Sequence, residues 1–125
     1  MIIADTSVWI DFFRIKEPVH QILSELLENR NILAIECIFG ELLQGIKNNY
    51  EKNIITKYWE NLPRLQMKDL FIKAGIYSAE NNFISKGVGL IDAVILLSAI
   101  ESNSQIWTLD KKLLRTLTEE YIYKY

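Results

Sequence analysis

Cysteine and histidine are each present only once in the 125 residues. Cys37 has no intramolecular disulfide partner, and with no histidine paired to it, its apolar neighbours mark a buried structural thiol rather than a nucleophile. His20 cannot make half of a histidine-based metal site or triad, and its polar-looking segment predicts an exposed side chain. Apolar runs long enough to span a bilayer are also missing: the longest, Leu90 to Ile100, is too short and contains Asp92. The N-terminus has no basic n-region, and Asp5 interrupts its only apolar stretch, which argues against a signal peptide. A cytoplasmic protein without membrane association is the expectation. No repeat, low-complexity segment or Pro/Gly/Ser-rich linker divides the chain, so a single domain over residues 1–125 is expected, large enough to build a core without disulfides. Nor is there an excess of basic charge. With 14 Lys and Arg against 16 Asp and Glu, the net charge of −2 does not by itself point to nucleic acid.

Half of the residues are hydrophobic, and they fall into alternating short runs and helical stripes. Ile2-Ile3-Ala4 reads as a strand buried on both faces. It stops at Asp5-Thr6-Ser7, all good helix N-caps, and the apolar Val8 to Phe13 follows at once as a helix. Val19, Ile22, Leu23, Leu26 and Leu27 have helical spacing within Pro18–Arg30. Ile32 to Ile35 predicts a second strand, and Glu36 to Gly45 a helix ending at a glycine C-cap. Asn48 to Leu62 is helical and Pro63 stops it. Leu65 and Met67 mark a short strand. Asp69 caps a helix running to about Ser85, and Lys86 to Gly89 form a loop. Leu90 to Glu101 is the most apolar helix, Gln105 to Leu109 a strand, Asp110 to Leu117 a helix, and Tyr121 to Tyr123 a short edge strand. Strands alternating with helices imply an α/β fold with a parallel sheet and right-handed crossovers.

In such units every strand ends, and every following helix begins, at one edge of the sheet, where ligands bind in open α/β folds. Asp5 ends the first strand, Glu41 lies in the early turns of the helix after the second, Asp92 is in the first turn of its helix, and Asp110 directly follows the Trp107 strand. Four carboxylates are thereby expected on one edge. Each has an ordinary explanation as a helix-start acid favoured by the macrodipole. Together they repel one another and stay ionised at neutral pH only with a cation among them. An all-oxygen ligand set suits Mg²⁺ or Mn²⁺, and phosphoryl-ester hydrolysis is the chemistry such a site performs best. Arg14, Lys16, Lys47, Lys86, Lys111, Lys112 and Arg115 lie near these acids in sequence, although any one of them reads equally as solvated helix surface.

The ordered set Ile3-Ala4-Asp5-Thr6-Ser7, Glu41-Leu42-Leu43-Gln44-Gly45, Leu90-Ile91-Asp92-Ala93-Val94-Ile95-Leu96-Leu97-Ser98-Ala99 and Trp107-Thr108-Leu109-Asp110 resembles the PIN-domain ribonucleases, especially the VapC-type toxins of toxin–antitoxin pairs. The resemblance implies a five-stranded parallel sheet in the order 3-2-1-4-5 with helices on both sides. It further implies Mg²⁺ or Mn²⁺ held by Asp5, Asp92 and Asp110 with Glu41 assisting, and RNA cleaved to leave a 5′-phosphate. Thr6 or Ser7 would orient Asp5, Thr108 would support Asp110, and Lys111 and Lys112 are candidate phosphate contacts. A homodimer is implied, with a groove beside the acidic edge for an amphipathic antitoxin segment. Trp9, Phe12 and Phe13, with Tyr58 and Trp59, have the composition of an interface core or equally of a protein core.

Two other classes fit the same residues less well. A haloacid-dehalogenase-like phosphatase, another Mg²⁺-dependent phosphoesterase, also places an Asp after its first strand but needs a second Asp two positions on, where this chain has Ser7. A non-catalytic PIN-like interaction module would have no reason to keep all four carboxylates. Gly87-Val88-Gly89 is no phosphate-cradling loop.

Overall fold

The computed structural model describes all residues, Met1–Tyr125. Strand β1 (Ile2–Ala4) leads into helix α1 (Thr6–Phe13), followed by α2 (Val19–Glu28), α3 (Glu36–Gln44), α4 (Asn49–Asn61), α5 (Leu70–Glu80) and α6 (Leu90–Ser102). Strand β2 (Gln105–Trp107), α7 (Lys111–Thr116) and a 3-10 turn (Glu119–Tyr121) complete the chain. No helix is long and apolar enough to cross a membrane.

β1 and β2 pair in parallel, with Ile2, Ile3 and Ala4 opposite Gln105, Ile106 and Trp107. This pair is the only regular sheet, where five strands were expected. The remaining segments attach through single parallel bridges: Ile2 to Ile32, Ala34 to Arg64 and Ile106 to Ile122. The reason lies in the backbone bonds. Leu33 donates to the carbonyl of Ile2 (2.9 Å) and Ala34 to that of Pro63 (2.8 Å), so this stretch serves two neighbours before α3 begins at Glu36. At the other end Glu119–Tyr121 coils into the 3-10 turn, and only Tyr123 N–H reaches the carbonyl of Ile106 (2.9 Å). The strand expected near Leu65 and Met67 likewise amounts to one bridge, at Arg64.

The helices lie close to their expected places, with two differences. α5 stops at Glu80 rather than near Ser85, and the chain turns through Asn82 and Gly87, both at positive φ. Asp69 precedes α5 in the left-handed conformation and its side chain makes no capping bond. Aspartate tolerates that conformation better than most residues.

One continuous apolar core joins both strands to α1, α3 and α6. α6 is buried from Ala93 through Ala99, as its unbroken apolar sequence requires. Trp9 centres an aromatic cluster, its ring 5.2 Å from Phe39, 5.5 Å from Tyr58 and 5.7 Å from both Phe12 and Phe13. Trp9 and Phe12 are thus core residues, while Phe13, Tyr58 and Trp59 are half-buried against it. His20 is not free in solvent: its ring stacks on Phe12 at 5.2 Å and Nδ1 lies 3.3 Å from Glu17. The large apolar residues left exposed are elsewhere, with Phe71, Ile72 and Ile76 on α5, Ile84 in the turn after it, and Leu90 and Ile91 at the start of α6.

Because Trp9 is almost fully enclosed and contacts four rings, Trp9→Ala should cost about 3–5 kcal/mol of stability. A denaturant midpoint close to that of the wild type would contradict this account of the core.

Candidate active site

Asp5 is where the two strands and the first helix meet. Its N–H continues the ladder by donating to the carbonyl of Trp107 (3.0 Å), and its side chain caps α1 by accepting from Val8 N–H (3.3 Å). Two hydroxyls complete the shell. Ser7 Oγ donates to Asp5 Oδ1 at 2.5 Å, and Thr108 Oγ1 donates to Oδ2 from just beyond β2. Both hydroxyls also accept: Ser7 Oγ from Leu109 N–H (3.0 Å) and Thr108 Oγ1 from Asp110 N–H (3.0 Å). The turn after β1 and the turn after β2 are therefore stitched together through one carboxylate.

The other acids surround this knot from separate elements. Glu41 on α3 is exposed, and its Oε1 accepts from Thr6 Oγ1 (3.0 Å). Asp110 is exposed at the N-cap of α7, with Oδ1 accepting from Lys112 N–H (2.9 Å). Asp92 is half-buried in the first turn of α6. Supporting roles are distributed differently from expectation: Ser7 rather than Thr6 orients Asp5, Thr6 holds Glu41, and the Thr108 hydroxyl binds the carboxylate of Asp5, touching Asp110 only through its backbone.

Burial raises the Asp5 carboxyl above the ordinary range, outweighing the bonds from Ser7, Thr108 and Val8, which act in the opposite direction. Asp92 is also raised, first by burial, then by the charge of Asp110, with smaller contributions from Glu41 and Asp5. Lys112 is the one cation opposing them. All four acids thus sit within electrostatic reach on one edge. No three of them, however, converge closely enough to enclose an ion. Mutual repulsion, and the local hydroxyl or N–H partners that engage Asp5, Glu41 and Asp110, account for that spread. The donor chemistry, oxygen only and collectively anionic, suits a hard divalent cation.

Cys37 is half-buried, and burial together with the Glu41 charge pushes its thiol up to about 11, so it carries no nucleophilic thiolate at neutral pH. Lys111 and Lys112 are exposed. The sequence does not reveal that Lys112 runs beside Gly87: a Cβ added there would lie 3.6 Å from Lys112 Cε.

The model of the PIN domain family matches residues 2–117, and the chain belongs to that family. PIN domains are in general magnesium-dependent nucleases, which places the chain among the hydrolases at that level. No curated protein sequence matches it. Among solved structures, the crystal structure of PAE2754 from Pyrobaculum aerophilum superposes with a TM-score of 0.64 at 14% identity, covering 97% of this chain and 87% of that one. At that identity the likeness shows the shared α/β fold.

The raised Asp92 carboxyl has a consequence for stability. The folded state favours its protonated form, so the stabilisation is present at low pH and is lost as pH rises through the raised value. Without metal, Asp92→Asn should therefore raise the Tm at pH 7 by about 2–3 °C, what roughly 0.5 kcal/mol gives in a domain of this size after allowing for partial exposure. Its Tm should also fall less between mildly acidic and neutral pH. An unchanged Tm–pH profile by differential scanning calorimetry would refute this.

Proposed function

We propose that the protein is a Mg²⁺- or Mn²⁺-dependent endoribonuclease, the VapC-type toxin of a toxin–antitoxin pair. The observation that carries this reading is the gathering of Asp5, Glu41, Asp92 and Asp110 on the edge where β1 and β2 end, with Asp5 locked between Ser7 and Thr108. Asp5, Asp92 and Asp110 would hold the ion with Glu41 assisting. When bound, it supplies activation of water and neutralisation of charge on the phosphate. The chain's own part is positional. Ser7 and Thr108 remove rotational freedom from Asp5, Thr6 does the same for Glu41, and the two exposed carboxylates, Glu41 and Asp110, can accept hydrogen bonds from an attacking water. Lys111 and Lys112 are placed next to Asp110 to meet the RNA phosphate, and hydrolysis would leave a 5′-phosphate. We also read the bridged segments at Ile32–Ala34, Arg64 and Ile122 as shortened strands of a five-stranded sheet in the order 3-2-1-4-5, within a single cytoplasmic domain.

Two surfaces support the partner assignments. A groove of about 430 Å³ between α1, α3 and α4 borders Glu41 and is lined by Ile10, Phe13, Ile46 and Ile54, with Arg14 and Lys47 at hand. Its apolar floor beside the acids suits an amphipathic antitoxin helix carrying a cation toward the site. The exposed Phe71, Ile72 and Ile76 of α5 suit a second copy of the chain, replacing the aromatic cluster that the core has absorbed.

Asp92→Ala or Asp110→Ala should lower RNA cleavage by at least about 100-fold, the scale of losing one preorganised electrostatic contact, while leaving the fold intact by circular dichroism. Cleavage that persists in excess EDTA would sink the mechanism. The spread of the acids favours one other reading, the non-catalytic module, and a Tm indifferent to millimolar Mn²⁺ would select it.

For the partners, light scattering should give a dimer mass that Ile72→Glu with Ile76→Glu converts to a monomer. The protein encoded beside this gene should silence cleavage. A monomeric wild type unaffected by that neighbour would defeat both assignments.

A further inference from the structure

Lys112 differs from the other cations of the acidic edge. Its backbone N–H is fixed by Asp110 Oδ1 (2.9 Å), which anchors the start of its side chain at one of the four acids. The side chain then crosses to the turn before α6, where a Cβ on Gly87 would lie 3.6 Å from its Cε and 3.8 Å from its Nζ. Gly87 has a φ of +75° and no side chain, so the ammonium group lies against a bare stretch of backbone. That turn is held by two buried residues, Phe83 and Val88, with Val88 N–H donating to the carbonyl of Phe83 (2.9 Å). It leads directly into α6, whose first turn carries Asp92. Lys112 consequently stands between Asp110 and Asp92 in the chain's layout, near enough for its charge to be felt at Asp92. It makes no direct ion pair: the only two in the protein are His20 with Glu17 and Lys124 with Glu119.

A cation beside four carboxylates, close but bonded to none of their oxygens, offsets their repulsion without occupying their lone pairs. We propose that Lys112, seated against Gly87, is a built-in counter-ion of the acidic edge that stabilises the metal-free protein and competes electrostatically with the divalent ion. This rests on the metal-binding reading of the site. It makes Lys112 a positioning residue whose charge sets how tightly the ion is held, and it assigns Gly87 the role of leaving room for that charge. Lys111, its exposed neighbour, has no such seat.

The test compares wild type, Lys112→Met and Lys111→Met, substitutions that keep the aliphatic stem and remove the same charge. Lys112→Met should bind Mn²⁺ on the order of 3–10-fold more tightly by isothermal titration calorimetry, because a like charge a few ångströms from the ion has gone. In EDTA its Tm should fall below that of wild type. The gap in affinity should narrow at high salt, as expected for charges partly open to solvent. Lys111→Met should stay within about twofold of wild type, since its charge is solvated and screened. Equal Mn²⁺ affinity in Lys112→Met and wild type, or equal effects of the two substitutions, would overturn the proposal. Wild-type protein that takes up no Mn²⁺ would overturn the metal reading and the competition with it, and an unchanged Tm of Lys112→Met in EDTA would remove the counter-ion role on its own.

Discussion

The carboxylate of Asp5 is the point on which the rest of the molecule depends. It terminates β1, caps α1 and accepts hydroxyl hydrogen bonds from Ser7 and from Thr108, a residue near the other end of the chain. A buried carboxylate is expensive unless its oxygens are satisfied, and here both are. The cost of burial therefore becomes specificity. The fold reaches full satisfaction only when β2 lies beside β1 in the register that brings Thr108 over Asp5. Ser7 and Thr108 each accept a backbone N–H from the turn after β2, so the same contacts that orient the acid also hold the two strand ends together.

Around that fixed carboxylate the structure accumulates charge of one sign. Asp92 is set by the apolar α6, Asp110 by the cap of α7, and Glu41 by Thr6. Each placement is locally favourable as a helix-start or hydroxyl-bonded acid. Their sum is unfavourable, which is visible in the upward displacement of the Asp5 and Asp92 carboxyls. An edge that stores electrostatic strain in this way is suited to receiving a cation, and Lys112 supplies part of that need from within the chain.

The apolar residues divide with equal clarity. Trp9 gathers Phe12, Phe13, Phe39 and Tyr58 into one interior cluster, so the first helix spends its aromatic side chains on the core. α5, by contrast, packs on α6 and still turns Phe71, Ile72 and Ile76 outward. A monomer gains nothing from that face.

Much of this was legible beforehand, and for identifiable reasons. Helix positions follow from 3.6-residue periodicity and from stop signals such as Pro63, both local properties. The arrival of Asp5, Glu41, Asp92 and Asp110 on one edge follows from the regularity of parallel strand–helix units. Other features depended on partners distant in sequence. Whether Ile32–Ile35 becomes a strand or a pair of bridges depends on how many neighbours its backbone must serve. Whether Trp9 is core or interface depends on where Phe39 and Tyr58 pack. The exchange of roles between Thr6, Ser7 and Thr108, and the seat of Lys112 against Gly87, arise where short side chains choose among acids within an ångström or two. The sequence by itself determined which residues carry charge and at which helix starts they stand. Only the tertiary structure decided which hydroxyl serves which acid, because that choice is made by distances between segments that share no local signal.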